Sequence, residues 1–218
     1  MEPLANLKVV EMGQLIAGPF AAKTLADFGA DVIKIEPPKV GDALRKWRLL
    51  KDGTSVWWQV QSRNKKSLSL DLKQAEAQDI VRTLVTEADV LIENFKSGTL
   101  DKWGFDSEWF DKHAPTLVRC SITGYGSAGA QSGLPGYDFI LQAESGLMSI
   151  AGATDGDPTK YGVAIVDLAT GMMAANAIQA ALLARYRTGK GQAVEVSLFD
   201  TYTIWYTCTI VITSYRIE

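Results

Sequence analysis

Apolar positions along this chain follow two rhythms. Short, dense runs alternate with longer stretches in which apolar residues return every three or four positions. The dense runs Lys8–Met12, Asp31–Glu36, Ser67–Leu70, Asp89–Glu93, Leu117–Ile122 and Gln192–Leu198 predict strands. The spaced stretches predict helices over 19–28, 74–88, a short piece around 108–113, and 168–187. Pro19 suits a first helical turn, Ile80, Val81, Leu84 and Val85 share one side of the second helix, and Thr188-Gly189 ends the last. Strands alternating with helices predict an α/β, Rossmann-like and mostly parallel sheet with helices on both faces.

Two stretches break the rhythm. Residues 39–62 are rich in Trp and charge, and residues 123–137 in Gly, so both are expected to be long functional loops. Residues 1–200 form one expected domain. Residues 201–218 form an atypical tail or the start of a linker: β-branched and aromatic residues crowd Thr201–Ile212 just after an Asp200 that suggests a helix start.

Composition narrows the function more than the fold. The 218 residues are 47% hydrophobic and 22% charged, with net charge −3, an ordinary globular balance that gives no reason to expect nucleic acid. No apolar run reaches the ~18 residues of a membrane span. Met1-Glu2-Pro3-Leu4 runs straight into a strand pattern without a signal peptide, so a reducing, cytoplasmic setting is expected. Two cysteines, Cys120 and Cys208, and one histidine, His113, supply neither a disulfide framework nor a metal set.

Candidate chemistry concentrates at Ala164-Ile165-Val166-Asp167-Leu168-Ala169-Thr170-Gly171, where a strand-like run meets the long helix. Asp167 is expected at or just before the helix N-terminus, kept ionised by free N–H groups and the macrodipole. That position fits a helix cap and a carboxylate nucleophile alike. The segment Gly13–Gly18 is neither a dinucleotide nor a Walker motif, since Pro19 stands where the lysine would be. It is expected to be a turn whose open N–H groups suit an anionic or adenine-bearing ligand. Arg45, Lys46, Arg48, Arg63, Lys65, Lys66 and Lys73 crowd one stretch, readable as a phosphate funnel or as a solvated surface.

A series of short motifs carries a resemblance. Ala17-Gly18-Pro19, the run Leu25–Glu36, Gly41-Asp42 with Arg45, Asn64–Ser67, Leu70–Lys73 and Glu93-Asn94-Phe95 stand in order, followed by Gly124-Tyr125-Gly126, Gly136-Tyr137-Asp138, Ser145–Met148, Asp167 with Gly171, and Arg187–Gln192. In that order and spacing the chain resembles the class III coenzyme A transferases, the formyl-CoA and carnitine-CoA transferase family, over nearly all of residues 4–200.

The resemblance implies that Asp167 carries the acyl group. It would attack a donor acyl-CoA to give a mixed anhydride, pass through an aspartyl-CoA thioester, and deliver coenzyme A to an acceptor acid. Family contacts with coenzyme A map to Leu15, Ile16, Ala17, Leu70, Lys73, Asn94, Phe95, Lys102 and the Thr123–Tyr125 segment, Tyr125 included, and Arg45 of the basic cluster is expected to add a phosphate contact. The implied partners are acyl-CoA and a small carboxylic acid, with a dicarboxylate such as succinate as donor, no permanently bound cofactor and no metal. Family members are longer, carry a second small domain that is absent here, and form interlocked homodimers. Ile16, Pro37 and Thr123 depart from residues common in the family, and because the resemblance puts Ile16 and Thr123 near the acyl group, these two argue against formyl–oxalate specificity. Two other readings are a truncated, non-catalytic fragment and an α-methylacyl-CoA racemase, whose His–Asp pair Gly136-Tyr137-Asp138 lacks.

Overall fold

The computed structural model describes residues 2–153 and 155–204. Six strands build one sheet: β1 (Lys8–Glu11), β2 (Asp31–Glu36), β3 (Lys65–Ser69), β4 (Val90–Glu93), β5 (Val118–Thr123) and β6 (Ala193–Ser197). All neighbours pair in parallel, in the order β3-β2-β1-β4-β5-β6. This is the order of the dinucleotide-binding folds, with its reversal between β1 and β4. Open parallel sheets hold ligands beyond the carboxyl ends of the strands at such a reversal.

Strand alternation divides the core in two. Val9, Val32, Val90, Ile92, Val118, Cys120 and Ile122 face helices α1 (Ala17–Asp27) and α7 (Ile165–Thr188). Val10, Met12, Ile35 and Leu91 pack on the opposite face with Val81 and Val85 of α3 (Ala75–Thr86) and Phe110 of α5 (Ser107–His113). Burial on both faces explains why these strands read as continuous apolar runs. Helix α7 is long and apolar enough to cross a membrane by length and composition; here Val166, Ala174, Ala175, Ile178 and Ala181 are buried in the first core.

The regular elements fall close to where the hydrophobic pattern places them, and the differences have physical causes. The run Ala164–Val166 is not a strand: Ala164 caps α7, and the helix begins at Ile165. Two β-branched residues suggested extension, and a cap supplied from elsewhere in the fold overrides that local preference. Residues 39–62 are more ordered than a loop. They hold a 3₁₀ turn (Ala43–Lys46), a small hairpin (Leu50–Lys51 with Thr54–Ser55) and α2 (Val56–Gln61). Side-chain caps start two of these: Asp42 accepts from Leu44 N–H, and Ser55 from Trp58 N–H. Helices α4 (Thr99–Lys102) and α6 (Asp138–Glu144) are too short for a periodic signal. Residues 198–204 are helical, and the rest of the expected tail, with Cys208, lies outside the described residues.

Candidate functional site

A cavity of about 690 Å³ opens at the sheet reversal. Its walls come from the β1–α1 loop (Gln14 to Ala17), the segment after β4 (Asn94 to Ser97), the end of β5 with its following loop (Ile122 to Gly126), and the start of α6. Trp47, Arg48, Lys160, Tyr161 and Asp167 also line it. Two close backbone approaches shape this space. A Cβ on Gly171 would lie 2.7 Å from the Ala17 carbonyl oxygen, so the glycine one turn after Asp167 lets α7 press against the start of α1. A Cβ on Gly124 would lie 2.6 Å from Gly136 Cα, so the two ends of the segment between β5 and α6 touch only because both carry glycine.

The β1–α1 loop is held from three sides. Asn94 clamps Gln14, accepting from its N–H and donating to its carbonyl, each at 2.8 Å. The Leu15 N–H donates to both Asp42 carboxylate oxygens, at 3.1 and 3.2 Å, which supports a φ of +64° at that residue. Beneath the loop, Lys34 contacts Glu11 at 2.7 Å, Asp42 at 2.9 Å and the Gly13 carbonyl at 2.6 Å. Lys65 bridges Glu11 and the Pro19 carbonyl, both at 2.7 Å. Burial opposes the Lys34 charge, but Glu11 and Asp42 outweigh it and raise its pKa, whereas burial lowers that of Lys65. The expectation of open N–H groups here is corrected at Gln14 and Leu15, whose donors are engaged within the protein.

Asp167 sits in the first turn of α7, three residues past the cap. The capping carboxylate is Asp138, whose Oδ2 accepts from Val166 N–H at 2.8 Å and Asp167 N–H at 3.1 Å. Gln142, buried at 2% exposure, donates to Asp138 Oδ1 at 2.5 Å and accepts from Tyr161 N–H at 2.9 Å. It ties the cap to the cavity wall. Burial, and then the Asp138 charge, push the Asp167 carboxyl up to about 7. This reverses the expected direction: the helix end favours an anion, but desolvation and a like charge outweigh it.

The cavity brings together Leu15, Ile16, Ala17, Asn94, Phe95, Tyr125 and Asp167, with Thr123 beside them. Arg45, Leu70, Lys73 and Lys102 do not line it. Arg45 lies on Glu36 at 2.7 Å and over the Trp58 ring at 3.9 Å. Burial works against Glu36, but Arg45, the Ser67 hydroxyl and Asp42 N–H hold its carboxyl down to about 2. Leu70 packs on the second core, while Lys73 and Lys102 are exposed. Much of the basic cluster is likewise engaged internally: Arg63 pairs with Asp27 and Lys66 with Asp31. Tyr125 donates to Glu144 at 2.6 Å, and burial with that carboxylate pushes its hydroxyl up to about 12. His113 ends α5 with its ring stacked on Trp109, and does not border the cavity. Among the described residues no group of three His, Cys, Asp or Glu is placed to hold a metal. Sequence patterns gave no sign of Gln142 or Tyr161, and Asp138 showed only as a motif neighbour of Gly136.

Comparison with known proteins adds to this geometry. A family model described as CoA-transferase family III matches residues 4–216. The succinate–glutarate CoA-transferase of Agrobacterium fabrum is 44% identical over 205 residues, covering 91% of this chain and 51% of that protein. The mouse (Mus musculus) succinyl-CoA:glutarate CoA-transferase is 45% identical over 202 residues, covering 92% and 46%. A solved CAIB/BAIF family protein from Brucella suis superposes with a TM-score of 0.88 at 45% identity, covering 92% of this chain and 54% of that one. The chain thus spans about half the length of the curated relatives it matches.

Proposed function

The chain belongs to CoA-transferase family III, and from that membership we propose that the protein moves coenzyme A from an acyl-CoA donor to a carboxylic acid, with Asp167 as the acyl-carrying nucleophile. One observation supports this above the rest. Asp167 is a carboxylate at the wall of the cavity at the sheet reversal, in the first turn of a helix whose cap is supplied by another residue. Freed from capping, its side chain is available to a ligand.

The proposed cycle balances without a further reactant. An Asp167 oxygen attacks the thioester carbonyl, the C–S bond breaks, and a mixed anhydride and CoA thiolate result. The thiolate attacks the aspartyl carbonyl, expelling the donor as its carboxylate and leaving an aspartyl-CoA thioester. The acceptor carboxylate attacks that thioester to form a second anhydride, and the returning thiolate takes the acceptor acyl group and regenerates Asp167. A carboxylate suits this work because the anhydride it forms is reactive toward a thiolate. Backbone N–H groups at the start of α1, where no side chain caps the helix, border the same space and favour the charge that develops on the carbonyl oxygens.

The relatives named for succinate and glutarate suggest short dicarboxylates as both donor and acceptor for this protein. Asp167→Asn is expected to lower transfer in the intact protein by about a thousandfold or more. Hydroxylamine with acyl-CoA should convert Asp167 to a hydroxamate visible by mass spectrometry. Undiminished transfer by the Asn variant would overturn the assignment.

A further inference from the structure

Arg48 is the residue of this basic stretch that lines the cavity. Arg45, Arg63, Lys65 and Lys66 each rest on a carboxylate, on Glu36, Asp27, Glu11 and Asp31 respectively. Among the described residues no carboxylate lies within ion-pair distance of Arg48. Its guanidinium lies instead 5.3 Å from the centre of the Trp57 ring, and the residue lines the cavity. Its backbone has a φ of +55°, in the left-handed region that a long side chain enters only at a cost. A strained arginine without an acidic partner, facing a cavity, has no role in building the fold described above.

Its neighbours connect it to the nucleophile. The same segment carries Asp42, which fixes Leu15 in the β1–α1 loop. Two residues on, Ala17 presses its carbonyl against Gly171, one turn from Asp167. Trp47, Arg48, Leu15, Ile16, Ala17 and Asp167 all border the one cavity.

We propose that Arg48 is a specificity-determining residue that binds the distal carboxylate of a dicarboxylic acyl group while the other end is carried on Asp167. The proposal rests on the transferase reading above. A dicarboxylate bound through one end keeps a second negative charge, which must be met inside a cavity already holding Asp138 and Asp167. A guanidinium meets it with donors in a planar fork that matches a carboxylate, and the Trp57 ring 5.3 Å away holds the cation by a cation–π contact before the ligand arrives. Lys96 and Lys160 also border the cavity. Their ammonium groups are point charges on flexible stems, which attract an anion without orienting it.

The test compares glutarate with butyrate, acids that differ by a carboxylate, as acceptors in the intact protein. Arg48→Met should reduce the glutarate-to-butyrate ratio of kcat/KM by about tenfold to a hundredfold, the scale of one charge-assisted contact. Arg48→Lys should recover part of it. Free coenzyme A affinity is measured alongside. An unchanged ratio overturns the proposal, and so does a loss of coenzyme A affinity by the same factor, which would make Arg48 a phosphate contact. A wild-type protein that transfers to neither acid would defeat the transferase reading alone. Equilibrium binding of glutarate against butyrate, with and without Arg48→Met, then decides the arginine's part on its own.

Discussion

Beneath the β1–α1 loop, Glu11, Lys34, Asp42 and Lys65 meet in a cluster whose charges sum to zero, with Glu11, Lys34 and Asp42 no more than 1% exposed. At the start of α7, Asp138 and Asp167 face each other, and among the described residues neither pairs with a cation. Both places take charge out of water. In the first, each carboxylate finds an ammonium and the loop is fastened to the result. In the second, only backbone N–H groups and Gln142 answer Asp138, and Asp167 carries the deficit as a raised pKa. Compensated charge holds the cavity wall in shape. Uncompensated charge leaves one group poised to bind a proton or, in the proposed cycle, an acyl carbon.

The largest effect expected from breaking this contrast lies in the compensated cluster. Lys34→Met leaves Glu11 paired with Lys65 and takes from the buried Asp42 its ion-pair partner, and should cost about 3–5 kcal/mol by urea unfolding at neutral pH. Adding Glu11→Gln should return part of that loss. Lys34 has a raised pKa, so its contribution is fully present below the ordinary lysine value of 10.5 and is lost only as pH climbs through the higher folded value. A Lys34→Met protein of wild-type stability would show that the cluster holds nothing.

The second effect has the opposite sign and another pH window. The Asp167 carboxyl titrates near 7 in the folded protein against an ordinary 3.8. The folded state therefore binds more protons than the unfolded one between those values, and stability falls as pH rises across that window. Asp167→Asn removes the penalty. The variant should match wild type below pH 4 and exceed it at pH 8 by ~2–4 kcal/mol. Equal stabilities at both pH values would place Asp167 in water rather than in a desolvated wall.

The two clusters also mark how far the sequence could be read. The parallel sheet was legible because its strands are apolar on both faces, and so was the place of Asp167 near the start of a long helix, although the strand expected before it is part of the helix and its cap. The charges inside the strands were harder to interpret. Lys8-Val9-Val10-Glu11 and Asp31-Val32-Ile33-Lys34 look like surface-tipped strands until parallel pairing sets Glu11 opposite Lys34. Asp138 and Gln142 lie in a seven-residue helix without a periodic signature, and across more than twenty residues of sequence Asp138 reaches α7 and Gln142 the segment just before it. Arg45 read as a ligand contact because its partner, Glu36, looked like the end of a strand. Local rhythm shows elements, and pairing between distant charges depends on the register that only the assembled sheet supplies.

The smallest effect on stability, and the sharpest on chemistry, is expected from Asp138→Asn. The amide oxygen can still accept from the N–H groups of Val166 and Asp167, so α7 keeps a cap but loses a charge-assisted one. The amide nitrogen then meets Gln142 Nε2, donor against donor, where a carboxylate oxygen accepted before. Against these losses, the like charge beside Asp167 disappears. The contributions oppose one another, and the net change at pH 8 should stay within about 1 kcal/mol. The pH profile should move further. In the proposed cycle transfer requires the Asp167 anion, so kcat/KM of the wild type should rise with pH through about 7. Burial is the larger cause of that value and the Asp138 charge the smaller. Removing the charge should therefore lower the acid limb of the profile while leaving it above the ordinary 3.8, with the burial of Asp167 unaltered. A limb fixed at its wild-type position would show that the two carboxylates do not sense each other. A limb that falls all the way to the ordinary value would show that desolvation contributes nothing.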